Sequence, residues 1–471
     1  MTRRTLAAVL ALVPLVLAPL FLVPSRASAQ APDTAAMADE AVRLTRDYLR
    51  INTTNPPGNE VETMRFLAGV LAKEGIPFDT AVSASGRGNI WARLEGSTDA
   101  PALVLLSHMD VVPADTAYWD QPPFAAKIVN DTIYARGALD TKTLGIVELE
   151  AFLTLHRQHV PLKRDVVFMA TADEEAGGFY GAGWVVKNHP EAFEGAGLLL
   201  NEGGEGILSD GRKQFGIEVT QKVPLWLRLT ATGRPGHGST PPVASAVNRL
   251  VDALYAIQTY HFEPRIVPSV DRYFRELAPS ADEAWKDAYG HIAKAVANRD
   301  TLLKLQIDHP SMAALTRNTC SITTLKGSDK INVVPPSAMA ELDCRLLPDQ
   351  DHDAFIAHLK SIIDDPAIDV HEIMGFTPAV SPVDNPLYRT ITKVVKERFP
   401  DATIVPAVST GFTDSHFFRD LGVASYGFAP FLIPEEDEHG IHGNNERISV
   451  ENVRRGAAMM YEIVRSVAAG S

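Results

Sequence analysis

Residues 103–110 read LVLLSHMD, and this stretch decides the fold. A short unbroken apolar run has neither the length of a helix nor the alternation of a half-exposed strand. It reads as a strand covered on both faces, as in an α/β sheet. The run ends in His108, Met109 and Asp110. Two further runs repeat the pattern: residues 165–171 lead into Asp173, Glu174 and Glu175, and residues 198–200 lead into Asn201 and Glu202. A helix-like stretch over 144–156 separates the first two runs, the order expected of a sheet flanked by helices.

Outward from these runs, residues 38–215 keep alternating helical patterns with short apolar strands. The character changes near Gly216. PLWLRLTAT at 224–232 alternates as a half-exposed strand does, and a helical pattern follows over 244–257. A polar, helix-prone stretch occupies 261–315, followed by strand-like 320–325 and 338–347, a helix over 353–363 and a strand at 368–374. From 378 the α/β pattern resumes, with a helix near 387–398 and an apolar run at 427–431. The expectation is one α/β domain with a mixed sheet, residues 30–215 and 378–471, interrupted by an inserted α+β domain, residues 216–377.

The chain has 471 residues, enough for two or three domains, with 45% apolar and 22% charged residues. A formal charge of −14 argues against nucleic acid as partner, because phosphate binding needs basic patches. An anionic small substrate stays open, since local arginines can reverse the field in a cleft. At the N-terminus, Arg3 and Arg4 precede an apolar run over 6–23, and Ala27-Ser28-Ala29 fits a cleavage site. Pro14, Pro19 and Pro24 favour a cleaved signal, residues 1–29, over a retained anchor, so an exported periplasmic or secreted protein without stable membrane insertion is expected. Cys320 and Cys344 are too few for a disulfide scaffold or a cysteine zinc site. They would face each other if their strands paired in a symmetric register, which the long intervening loop leaves open.

Strand carboxyl ends in an open α/β sheet form the crevice where ligands bind. Carboxylates placed there are costly unless a metal or an opposite charge compensates, and histidine beside carboxylates is the ligand chemistry of zinc. Together with residues 107–113 (SHMDVVP), 135–142 (ARGALDTK), 173–175 (DEE), 201–204 (NEGG) and 441–446 (IHGNNE), the chain resembles the co-catalytic two-zinc family of aminoacylase, glutamate carboxypeptidase and desuccinylases. Its nearest resemblance is to the branch of carboxypeptidase S and secreted N-acyl amino acid hydrolases. A DEE or HxD triplet alone says nothing; five segments in the right order are specific.

The resemblance implies a site. Asp140 would bridge two Zn²⁺ ions (Co²⁺ being an alternative), with His108 and Glu202 completing one ion's ligands and Glu175 and His442 the other's. His442 is preferred to His439, which follows directly on the acidic run 435–438. Glu174 would be the general base for a water between the metals, passing the proton to the leaving nitrogen. Asp110 shares strand parity with His108 and would orient its imidazole. The resemblance also makes the insert a lid and dimerisation domain. His237, in GHGSTP at 236–241, would reach the partner subunit's site in a homodimer, and Asn332, Arg345 and Gly411 would bind substrate. Arginine can grip a free carboxylate through two parallel hydrogen bonds. Helices from 261–315 lying over the insert's sheet edge would instead leave a monomer. His416 remains unassigned. The expected reaction is hydrolysis of an amide next to a free carboxylate, in a small peptide or an N-acyl amino acid. A non-catalytic binding protein on the same fold has no need of Glu174, and a serine hydrolase would need the GxSxG elbow that the sequence lacks.

Overall fold

The computed structural model describes residues 1–2 and 34–470, so the export signal read over residues 1–29 lies, from residue 3 on, outside the described residues. Among the described residues, the larger sheet has ten strands and is mixed. Its centre is parallel: Arg164–Thr171, Ala100–His108, Ala196–Asn201 and Ala424–Gly427 lie side by side in that order. Arg87–Leu94 and Phe78–Ala84 extend one edge in antiparallel fashion.

The apolar runs are continuous because both faces are covered. Leu103 and Leu105 point into one core with Val166, Phe168 and Leu200, against the helices Thr34–Leu49, Lys142–Arg157 and Val450–Ala469. Val104 and Leu106 point the other way, with Val167, Met169 and Leu199, against Ala182, Val185 and Phe418 from two shorter helices. Past its first two residues each of the first three strands therefore buries its side chains on both faces, at about 1.5–3 kcal/mol for each large apolar one. This parallel arrangement puts all three carboxyl ends at one rim, with His108 opposite Thr171.

A second sheet is antiparallel throughout, in the order Thr319–Lys326, Ser337–Leu346, Val223–Thr232, Ile368–Gly375. Here the alternation is that of a one-faced sheet. Leu225, Leu227, Leu229 and Ala231 are buried against the helices Ala246–Thr259 and His352–Ile363, while Arg228 is exposed. The change of character read at Gly216 falls inside the strand Arg212–Gln221, which still belongs to the larger sheet. The extended chain crosses to the second sheet at Lys222 with no turn residue to mark the passage.

The helix-prone stretch forms Pro268–Leu277, Glu283–Gly290, Ile292–Val296, Arg299–Asp308 and Pro310–Ala314. These helices share a core with Val405 and Val408 on the larger sheet's strand Thr403–Ser409. They leave the outer strand Thr319–Lys326 exposed from Ser321 onward. No helix among the described residues is long and apolar enough to cross a membrane.

The register left open by the sequence is the symmetric one: Cys320 pairs with Cys344, and the two form a disulfide that ties the edge strand to its neighbour. The bridge closes a loop with a sequence separation of 24, for which chain entropy gives about 3 kcal/mol of stabilisation. The Cys320→Ser/Cys344→Ser protein should therefore unfold at a clearly lower temperature than the oxidised wild type. A thermal midpoint indifferent to both substitution and reductant would show that the bridge contributes nothing.

Candidate metal centre

The rim of the parallel strands gathers the acidic and imidazole groups. His108 closes one strand and Glu202 follows another. Glu174 and Glu175 lie in the single helical turn after Thr171, which Asp173 enters in a left-handed conformation (φ 67°). Asp140 comes from the turn that precedes the helix Lys142–Arg157, and His442 from the turn before the strand Arg447–Ser449. His442 is itself left-handed (φ 55°), a conformation that non-glycine residues keep only where surroundings impose it.

Asp140 stands between the two imidazoles. Its Oδ1 lies 3.0 Å from His108 Nε2 and its Oδ2 lies 2.9 Å from His442 Nε2. Glu202 approaches His108 Nε2 at 3.4 Å and Glu174 at 3.9 Å, while Glu175 Oε2 is 3.0 Å from His442 Nε2. Burial pushes the carboxyls of Glu174, Glu175 and Glu202 up, Glu175 to about 7. His442 is pushed up to about 10 by its hydrogen bonds to Asp140 and Glu175. Burial disfavours charge on His108, yet Glu202, Asp110 and Asp140 outweigh it and hold its pKa well above the usual range.

Protons on the two imidazoles offset part of this negative charge. Divalent cations in place of those protons would bring twice the positive charge, and nitrogen together with carboxylate oxygen is a donor set that suits them. His108, Glu174 and Glu202 form one group whose ligand atoms lie within 4.8 Å of one another, and His108, Asp140 and Glu175 form a second. Glu175 Oε1 is buried without a hydrogen-bond partner, an acceptor open to a cation. The residues present fit a metal centre.

Around the cluster stands a set of buried polar groups that hold it. Asp110 faces His108 Nδ1 with both its carbonyl oxygen (3.0 Å) and its carboxylate (3.5 Å). The Asp110 carboxylate also accepts from the backbone N–H groups of Glu174 (3.1 Å) and Glu175 (3.2 Å) and from Asn55 Nδ2 (2.7 Å). Arg87 pairs with Glu60 at 2.6 Å and Asp173 at 3.2 Å, fixing the entry to the Glu174 turn. Glu446 accepts from the backbone of Gly137, Leu139 and Asp140 and pairs with Arg136. Asp414 accepts from Thr171 Oγ1 at 3.2 Å. Sequence reading missed Asn55, Glu60, Arg87 and Asp414 and gave Glu446 no role. A carboxylate that serves backbone N–H groups carries no spacing of its own.

The other residues singled out lie apart from this cluster's ligand segments, and only Arg345 is on the second sheet. His237 and Asn332 meet on a short ribbon, where Gly236 and His237 pair with Val334 and Val333 and Gly238 N donates to Asn332 O at 2.8 Å. His237 is exposed; its Nδ1 lies 2.7 Å from Ser239 Oγ, and none of its hydrogen bonds reaches the acidic cluster. Arg345 is forked onto Asp343 two residues back (2.7 and 3.1 Å), its Nη1 is buried without a partner, and its guanidinium lies over Phe412 at 5.5 Å. That pairing was legible, because Asp343 and Arg345 share strand parity. Gly411 is exposed beside Phe412 and donates to Ser409 Oγ at 3.1 Å. His416 is buried, stacks on Phe376 at 3.5 Å and has neither ring nitrogen hydrogen-bonded. Burial drives its pKa down to about 3, so it is neutral.

Comparison with known proteins agrees with this geometry. The N-fatty-acyl-amino acid synthase/hydrolase PM20D1 of Xenopus tropicalis is 31% identical over 361 residues, covering 74% of this chain and 69% of its own. Human aminoacylase-1 is 27% identical over 440 residues, covering 91% and 95%. The solved M20 family metallo-carboxypeptidase Sso-CP2 of Sulfolobus solfataricus shares the fold, with a TM-score of 0.69 at 22% identity, covering 91% of this chain and 99% of its own. Residues 104–466, from the central strand that ends in His108 to the last helix, match the description Peptidase family M20/M25/M40. The chain belongs to that family and is a hydrolase of its metallopeptidase and amidohydrolase kind.

Proposed function

We propose that the chain is a two-zinc enzyme that hydrolyses an amide bond adjacent to a free carboxylate. The observation that carries this reading is Asp140, with one carboxylate oxygen toward each imidazole. Asp140 is shared, His108 and Glu202 complete one ion's ligands, and Glu175 and His442 the other's. Distance alone would group Glu174 with His108 and Glu202. We assign it otherwise because it stands furthest from His108 Nε2, whereas Glu175 is in contact with His442. Bound there, the cations supply Lewis-acid polarisation of the scissile carbonyl and activation of water. Glu174, whose carboxyl burial pushes up, takes a proton from the attacking water and delivers it to the leaving nitrogen. Asp110 keeps Glu174 and Glu175 in place through their backbone N–H groups.

A carboxypeptidase substrate and an N-acyl amino acid have in common a carboxylate next to the scissile amide. The PM20D1 and aminoacylase-1 relatives favour an N-acyl amino acid; the Sso-CP2 structure favours a peptide. Arg345 reads the carboxylate, with Asp343 holding the guanidinium and Nη1 left to donate. Gly411, next to Phe412, binds substrate beside it, Asn332 binds substrate from the ribbon that carries His237, and residues 216–377 act as a lid. We assign the chain to the periplasm or exterior, exported by residues 1–29.

The second sheet and its helix carry exposed apolar groups: Leu325 on the edge strand is 63% exposed, and Val251 (52%) and Tyr255 (67%) stand one turn apart on the helix Ala246–Thr259. Such a patch on an open strand edge suits a two-fold partner. In that homodimer His237 donates to the scissile carbonyl in the partner subunit's site.

Chelation should abolish turnover of a panel of dipeptides and N-acyl amino acids, and Zn²⁺ should restore it. Amidating the carboxylate should lower kcat/KM sharply in wild type and matter little in Arg345→Ala. Undiminished activity in rigorously metal-free protein would refute the metal chemistry, and equal sensitivity to amidation would clear Arg345. Glu174→Gln should retain both metals and lose about 10²–10⁴-fold in kcat, while Glu175→Ala should lose one metal; the reverse pattern in metal analysis would exchange their roles. His237→Ala homodimers should bind zinc normally yet lose an oxyanion donor, about 2.7–4 kcal/mol of transition-state stabilisation. Mixed with Glu174→Gln subunits, they should regain activity, because one site in the heterodimer carries neither defect. No recovery despite demonstrated subunit exchange would remove His237 from the partner's site.

A further inference from the structure

Glu446 lies at the end of the segment that carries His442, and its side chain is fully buried. All its bonds run to one turn. Oε1 accepts from Leu139 N at 2.7 Å and Asp140 N at 3.1 Å, and Oε2 accepts from Gly137 N at 2.9 Å and Arg136 Nη1 at 2.8 Å. Gly137 makes this turn possible: it is left-handed (φ 85°), and a Cβ there would stand 2.8 Å from Val111 Cγ1. Arg136 ties the assembly back to the His442 side. Its Nη2 donates to Gly443 O at 2.6 Å, and its guanidinium lies over Trp119 at 5.2 Å.

We propose that Glu446 is a positioning residue for both metals, because it sets the backbone from which Asp140 reaches each of them. The inference rests on the two-metal reading. A shared carboxylate must present both oxygens at once, and its side chain is too short to correct a shifted backbone. Three N–H groups converging on one dry carboxylate leave the turn a single arrangement. Without Glu446 those donors would be buried and unpaired, and the turn would move to satisfy them. Glu446 thus joins the loop that supplies one ligand to the loop that supplies the shared one. A residue serving a single metal would weaken one equivalent; Glu446 should weaken both together.

The test is metal binding. Wild-type, Glu446→Gln and Glu446→Ala proteins are stripped by chelator dialysis and checked for fold by circular dichroism. They are then titrated with Zn²⁺ against a chromophoric chelator. Both equivalents should weaken by about 10- to 100-fold, as when an outer partner of a ligand is removed. The loss should be smaller in Glu446→Gln, which keeps an acceptor oxygen. Glu202→Gln should weaken one equivalent only. Arg136→Lys, which keeps the charge but loses the fork, guards against a Glu446 variant that fails to fold, and should weaken the equivalent held by His442. Wild-type affinity in the folded Glu446 variants and in Arg136→Lys, or a Glu446 effect confined to one equivalent, would overturn the proposal. A wild-type chain that takes up no Zn²⁺ would overturn the two-metal reading itself.

Discussion

Carboxylates crowd the rim of the parallel sheet, and the need to hold them there against mutual repulsion governs the structure around them. Asp140, Glu174, Glu175 and Glu202 meet the buried imidazole of His108 and the exposed imidazole of His442. Opposite charge at the centre answers the repulsion, from protons on His108 and His442 or from divalent cations with the same donor set. Geometry is a separate demand. Each acidic side chain has to be pinned by something other than its neighbours in the cluster, and the outer polar groups do this through the backbone. Asp110 takes the N–H groups of Glu174 and Glu175, and Glu446 takes those of the Asp140 turn.

The outer acids are themselves buried charges, and three of them are paired with arginine. Glu446 has Arg136, and Asp173 and Glu60 share Arg87. Such pairs contribute little net stability, because desolvation offsets most of their attraction. Removing one partner is costly, so the arrangement acts as a specification of geometry more than as a reserve of stability. The stability comes from the strands beneath. With both faces covered, the central strands cannot slide without exposing leucine and valine, so the rim they carry is rigid.

The second sheet follows the opposite rule. It buries one face, leaves the other open and ends in an exposed strand, secured within the chain by the Cys320–Cys344 bridge. The helices of 268–314 pack on the larger sheet instead of on that edge. The acidic cluster thus sits on the rim of the two-faced sheet, while Arg345 sits on the open-edged one.

Much of this was legible in the residues. Unbroken runs such as LVLLS meant a strand covered twice, PLWLRLTAT meant a strand covered once, and polar endings marked the rim. Those properties are local, because burial on one face or two leaves a periodicity. The six side chains that converge were also within reach, but only through the resemblance that five short segments in the right order carry. Tertiary structure alone decided the rest. Cys320 faces Cys344 because a register across a long loop happens to be symmetric. Glu446 finds Gly137, Leu139 and Asp140 some three hundred residues away, and Arg87 finds Asp173 across the sheet. A buried acid that accepts backbone N–H groups looks like any other glutamate in sequence, because its partners are peptide groups that every residue carries.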